Sequence, residues 1–153
     1  MSKYIVTLAT EEDIEDALDM LRLFHKESPY NCIPWCGDSA SAYLFSVLDN
    51  GLLAVAKDED GYPVGVIGFE CGSVPFNADH YVYLEKFYYV KGYARKTSAG
   101  VLLKNFAEQE IKRRGDAGHI VMATLSTTPA HVGQWYIQCG YSHVESGYIK
   151  GVE

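Results

Sequence analysis

Apolar and polar residues along the chain follow two periods, and the switches between them outline the elements. Residues 4–8 (YIVTL) read as a short strand. Thr10 suits an N-cap, and Glu11, Glu12 and Asp13 suit a first helical turn. Ile14, Ala17, Leu18, Leu21 and Phe24 then recur at helical spacing to about His25. The stretch KESPYNCIPWCGD, with two prolines and the large aromatics Tyr30 and Trp35, reads as a loop. A second helix is predicted from about Ser39 to Leu48, stopped by Asn50-Gly51. LLAVAKDEDGYPVGVIGFECG follows as strand, Asp60-Gly61 turn and strand, an antiparallel hairpin signal. HYVYLEKFYYV (80–90) extends that sheet by a third strand. Thr97 to Arg114 carries the clearest helical pattern, with Val101, Leu102, Phe106 and Ile111 on one side and Gly115 at its end. HIVMATL reads as a buried strand, Pro129 to Gln138 as a last helix, and GYSHVESGYIKGV as a closing strand or hairpin.

This order predicts a mixed α/β (α+β) domain, a mostly antiparallel central sheet flanked by helices. At its centre a strand, a tight turn and a helix lead into a strand parallel to the first, by the usual crossover. At 153 residues and 48% hydrophobic content, with no repeat and no Pro/Gly-rich linker, residues 1–153 are expected to form one domain. No window has the apolar length of a membrane span, and MSKYIVTLATEED is unlike a signal peptide. A soluble, cytoplasmic protein with no membrane partner is the expectation. The four cysteines (Cys32, Cys36, Cys71, Cys139) lack zinc-ligand spacing, so free thiols and no metal are expected.

The net charge of −7 disfavours nucleic acid as a partner and suits a cationic one. It hides an asymmetry. Between Lys86 and Arg114 eight basic residues face two acids, a local +6, whereas the rest carries five bases and eighteen acids, a local −13. Lys91, Arg95 and Lys96 stand just before the best helix, where anions bind.

The turn from Arg95 through Lys96, Thr97, Ser98 and Ala99 to Gly100 would present successive backbone N–H groups with small side chains around them. Arg95, Lys96 and the hydroxyls of Thr97 and Ser98 add donors that phosphate oxygens accept. An anionic, pyrophosphate-bearing ligand fits this chemistry. The bland alternative is a basic N-terminal turn with Thr97 or Ser98 as the cap. Neither a Walker loop nor GxGxxG is present.

The segment FYYVKGYARKTSAGVLLKNF resembles the central motif of the GNAT superfamily of acetyl-CoA-dependent N-acyltransferases, of the short type found in bacteria and their phages. There a strand ending in Val leads through R/Q-x-x-G-x-G/A into a helix, and here Arg95, Ser98 and Gly100 hold the patterned positions. GQWYIQCGYSHVESGYIK is similar to the superfamily's late helix and strand, with Tyr136 before the Gly140-Tyr141 pair. Ser98 replaces the first patterned glycine, and Gly92 stands where proline is frequent.

The resemblance implies a GNAT-like acyl-CoA fold and transfer of an acetyl group from acetyl-CoA to a primary amine, by direct attack in a ternary complex. It places the co-substrate's pantetheine along Tyr88, Tyr89 and Val90 and its pyrophosphate on Arg95, Lys96, Thr97, Ser98, Ala99 and Gly100. A backbone N–H near Tyr89 or Val90 would stabilise the oxyanion. Glu85, the only carboxylate of the central strand, is the candidate general base, its pKa raised among aromatics; a bulge would change which face it occupies. Tyr136 is the candidate general acid for the departing thiolate. The acceptor is expected to be a small-molecule or protein amine, and a homodimer is among the assemblies the sequence allows.

Tyr30, Trp35 and Glu70 are candidates for the acceptor pocket, although loop aromatics more often anchor or plug. His80, His119, His131 and His143 show no partner spacing, and Cys139 stands in no recognised relation to a base. Lys91-Gly92-Tyr93-Ala94 matches half of an RNA-recognition signature, but Arg95, Lys96 and Ser98 break the other half. The alternative function is a catalytically inactive GNAT-like module that binds acyl-CoA or a protein partner.

Overall fold

In the computed structural model, residues 3–115, 120–123, 130–143 and 150 are described. Five strands, β1 (Tyr4–Leu8), β2 (Leu52–Asp58), β3 (Pro63–Val74), β4 (Asn77–Val90) and β5 (Ile120–Ala123), form one sheet in sequence order. The first four pair antiparallel and β5 lies parallel to β4. Four helices pack around them: α1 (Ile14–Glu27), α2 (Gly37–Asn50), α3 (Ala99–Arg114) and α4 (Ala130–Gln138). Most of the predicted closing strand lies outside the described residues, and Tyr141–His143 have no regular structure.

Strand β2 is buried on both faces, so its apolar run LLAVA feeds two cores alternately. Leu53 and Val55 pack with Ala17, Met20, Leu44 and Val47 of α1 and α2. Leu52 and Ala54 pack with Leu103 and Ile111 of α3.

The stripe that α3 buries is Ala99, Leu103, Ala107 and Ile111, at strict i,i+4 spacing. This corrects the predicted face: Leu102 and Phe106 are only partly buried, and Val101 is 45% exposed. Two alanines in the stripe let the helix sit close to the sheet, and Gly65 leaves room for Leu103, whose Cδ2 would lie 3.3 Å from an added Cβ. Helix α3 also starts two residues later than expected. Thr97 remains in the turn, where its Oγ1 donates to Ala94 O at 2.6 Å and accepts from Ala99 N at 3.3 Å.

The feature that shapes the site is a bulge in β4. Gly68 of β3 faces Phe87 and Phe69 faces Glu85, so Lys86 is the extra residue. Before the bulge Tyr83 packs in the α3-side core; after it Phe87 and Tyr89 pack under α1 and α2, while Val90 and Tyr88 join the α3 side. Gly68 makes room for the switch, because a Cβ there would lie 2.2 Å from the Phe87 ring.

Candidate active site

Among the described residues β5 pairs with β4 only from Val82 to Glu85. Beyond that point Phe87 to Val90 of β4 border a cleft of about 520 Å³. That volume suits part of a cofactor-sized ligand. Its opposite walls are the end of α1, with Phe24, Glu27 and Ser28, and the face of α4 that carries Val132, Trp135 and Tyr136. The start of α3 closes the remaining side with Thr97, Gly100 and Val101.

Glu85 and Tyr136 meet in the wall of this cleft. Tyr136, 1% exposed, donates its hydroxyl hydrogen to Glu85 Oε2, and Glu85 is 5% exposed. Burial pushes the Glu85 carboxyl up to about 7 from its ordinary 4.5, with the Tyr136 hydrogen bond pulling partly back. Burial and the neighbouring Glu85 charge push the Tyr136 hydroxyl well above the usual tyrosine range. The pair therefore holds one mobile proton and one firmly held proton, both beside the cleft. The bulge at Lys86 is what aims Glu85 and Tyr88, an odd number of positions apart, to the same side.

The turn before α3 runs from Arg95 to Ser98 and leads into Ala99, the first residue of the helix. The N–H groups of Lys96, Ser98, Gly100 and Val101 have no acceptor among the described residues. Ser98 adopts φ −72°, ψ −7°, a helical conformation open to any residue, so the turn forms without the first patterned glycine. Gly100 is the position where size matters. A Cβ there would lie 2.9 Å from the Tyr88 hydroxyl, which donates to the Gly100 carbonyl oxygen.

Two predicted phosphate donors are engaged inside the protein instead. The Thr97 hydroxyl is used within the turn, as described above. Arg95 donates from Nε to Val90 O at 2.8 Å, lies over the Tyr89 ring at 5.1 Å, and pairs through Nη2 with Glu27 at 2.6 Å. Its guanidinium ties the end of β4 to the end of α1 because the turn brings it back over the strand it has just left. Lys96 is exposed.

Behind Tyr136 lies a cluster that spacing did not reveal. Lys104, 5% exposed, pairs with Glu108 at 2.9 Å and sits over the rings of Trp135, at 5.5 Å, and Tyr141, at 5.7 Å. Glu108 also accepts from the Tyr141 hydroxyl, and the Tyr141 ring meets Tyr136 edge-on at 5.0 Å. Trp135 in turn stacks on Tyr88, with 14° between the ring planes. A buried cation thus fastens α4 to α3 and fixes the orientation of Tyr136. The visible signal was Trp135-Tyr136 followed by Tyr141; the lysine gave none, because one of the two lysines of a helix that also carries Arg113 and Arg114 reads as part of a solvated face.

Tyr30, Trp35 and Glu70 do not line the cleft. Tyr30 is 41% exposed in the loop after α1, Trp35 packs on the His25 ring at 5.5 Å, and Glu70 accepts from the Tyr43 hydroxyl at 2.8 Å. Phe24 and Glu27 of α1 line the cleft instead. Among the described residues no group of His, Cys, Asp and Glu is arranged to hold a metal ion, and no helix is long and apolar enough to cross a membrane.

No protein-family model matches the sequence, and no curated protein matches it. Solved structures do match the fold. A GCN5-related N-acetyltransferase from Ralstonia eutropha JMP134 superposes with a TM-score of 0.72 at 21% identity, covering 97% of this chain and 98% of its own. A predicted acetyltransferase with acetyl-CoA from Clostridium acetobutylicum gives a TM-score of 0.74 at 13% identity, over 97% and 96% of the two chains. A protein from Bacillus halodurans C-125 described as a transcriptional regulator gives 0.73 at 19% identity, over 97% and 99%. At such identities the likeness concerns backbone architecture: the chain has the fold of the GNAT acetyltransferases.

Proposed function

We propose that the protein moves an acetyl group from acetyl-CoA to a primary amine by direct attack in a ternary complex. The observation that carries this reading is the buried Glu85–Tyr136 hydrogen bond in the wall of a cleft that Gly100 and Val101 also line, where the turn into α3 has backbone N–H groups with no acceptor among the described residues. The amides of Lys96, Ser98, Gly100 and Val101 would hold the pyrophosphate, and β4 from Phe87 to Val90 would border the pantetheine.

Glu85, with a pKa of about 7, is poised to take a proton from the acceptor's ammonium near neutral pH. The amine nitrogen then bonds to the acetyl carbon and the carbon–sulfur bond breaks. Tyr136 alone is a poor acid, since burial and Glu85 hold its proton tightly. Once Glu85 is protonated the balance changes: Tyr136 passes its proton to the sulfur and recovers one from Glu85. The net donor is then a carboxyl of about 7, and transfer to a thiolate of about 8.5 is downhill by about 2 kcal/mol. Of the two protons the ammonium loses, one reaches the thiol and the other leaves to solvent. The acidic remainder of the chain, a local −13, supports a cationic acceptor.

The test is thiol release from acetyl-CoA in the presence of a polyamine, an aminoglycoside, a lysine-containing peptide and a peptide with a free N-terminus. Amine-dependent release that Tyr136→Phe suppresses is expected from at least one of these. A protein that binds acetyl-CoA yet releases thiol with none of them contradicts the reading.

A further inference from the structure

The Glu27–Arg95 pair links the ends of α1 and β4, but its place at the cleft has no part in the reaction as described so far. Its two side chains are 51% and 45% exposed, so the pair is hydrated and adds little to stability. Helix α1 is already held by Ala17, Met20 and Leu21, and its end by Ser28, whose Oγ donates to His25 O at 2.9 Å. Yet Glu27 and Arg95 both border the cleft, and the N–H of Lys96, the next residue, has no acceptor among the described residues.

The guanidinium is positioned independently of Glu27. Nε is fixed on the Val90 carbonyl and the plane rests over Tyr89, so only the Nη2 side of the fork is taken up by the carboxylate. That side can pass from one anion to another without moving the rest of the residue.

We propose that Glu27 is an intramolecular competitor for Arg95, which the anionic part of the co-substrate displaces on binding. The inference rests on the function proposed above and adds a residue that tunes affinity at the same site. Arg95 is kept oriented and neutralised until a phosphate-bearing ligand arrives, and that ligand takes over the contact Glu27 gives up. Coenzyme affinity is therefore set by a difference between two charge pairs, and Glu27 lowers it.

Isothermal titration of the full-length protein with CoA and with pantetheine, which lacks the pyrophosphate, tests this on Glu27→Gln, Arg95→Gln and the double variant. Glu27→Gln is expected to tighten CoA binding about threefold, the size of an exposed pair, and to leave pantetheine unchanged. In the Arg95→Gln background the same substitution should give no gain. The gain should also shrink at about 0.5 M salt. Unchanged or weaker CoA binding by Glu27→Gln overturns the proposal. So does a gain that persists without Arg95, because plain repulsion between Glu27 and phosphate would then account for it. If CoA fails to bind even the wild-type chain, the proposed function falls and takes this inference with it; binding without the Glu27 effect sinks the competitor alone.

Discussion

Two glutamates in this molecule are almost equally hidden, yet their chemistry runs in opposite directions. Glu85 is 5% exposed and Glu110 is 8% exposed. Glu110 accepts from Arg113 at 2.7 and 2.9 Å and from Arg114 at 3.1 Å, and these hydrogen bonds hold its carboxyl down at about 2. Arg114 goes on to donate to Gly51 O at 2.7 Å, so the group ties the end of α3 to the turn after α2. Among the described residues Glu85 has only the neutral Tyr136 hydroxyl as hydrogen-bond partner, and burial lifts it to about 7. Low exposure alone says nothing about role. A carboxylate beside cations is fixed as an anchor, whereas one given a neutral partner is left able to change charge near neutral pH.

The sharpest way to break this contrast is to remove the proton path. Tyr136→Phe should lower turnover about 100-fold or more while acetyl-CoA affinity stays the same. Steady-state thiol release alongside titration calorimetry reads both, and full activity would remove Tyr136 from the mechanism. Glu85→Gln should also flatten the pH profile of kcat/KM, which in the wild type should rise through about pH 7 as Glu85 loses its proton. An unchanged profile would assign the titrating base elsewhere.

The second effect concerns stability. Glu85's folded pKa of about 7 lies above its ordinary 4.5, so the folded state keeps a proton that the unfolded chain releases. Stability should fall by about 3 kcal/mol as pH rises from about 4.5 to about 7 and then level off. Glu85→Gln should abolish that loss in urea unfolding. Glu110 should behave in the opposite sense. Its folded pKa of about 2 is below the ordinary 4.5, so its contribution is present above that value and disappears as pH falls towards 2. Glu110→Gln should therefore weaken the protein at pH 7 and leave it little changed at pH 2. Matching pH responses in the two variants would refute the comparison.

The smallest effect belongs to the turn. Arg95→Glu should weaken acetyl-CoA binding about tenfold, a charge reversal beside a pyrophosphate, with the circular dichroism spectrum unchanged. Unaltered affinity would move the phosphate site elsewhere.

What was legible in the sequence was local. The Asp60-Gly61 turn, with Gly61 at φ +85°, announced its hairpin, and the turn into α3 was readable because consecutive residues build it. The Glu85 and Tyr136 positions came from resemblance, but their hydrogen bond joins residues 51 positions apart and depends on the bulge at Lys86. That bulge is written in no local signal: it is set by how Gly68 and Phe87 fit across two strands. Strand β4 likewise began earlier than expected, at Asn77, which pairs with Val74 across the turn, while residues 77–81 are exposed and carry no hydrophobic pattern. Glu27 and Arg95 meet across 68 residues, so no local pattern showed that the end of α1 lines the cleft. Lys104 was hidden for a simpler reason. A lysine among aromatics reads as surface until the fold closes over it.

The measurement that bears most directly on the account is isothermal titration of the purified protein with acetyl-CoA, using ATP as the control anion. The account predicts a single acetyl-CoA site that binds ATP at least about tenfold more weakly, since ATP lacks the pantetheine arm that would run along β4. Equal affinity for the two would reduce the cleft to a general anion site, and no acetyl-CoA binding would contradict the account.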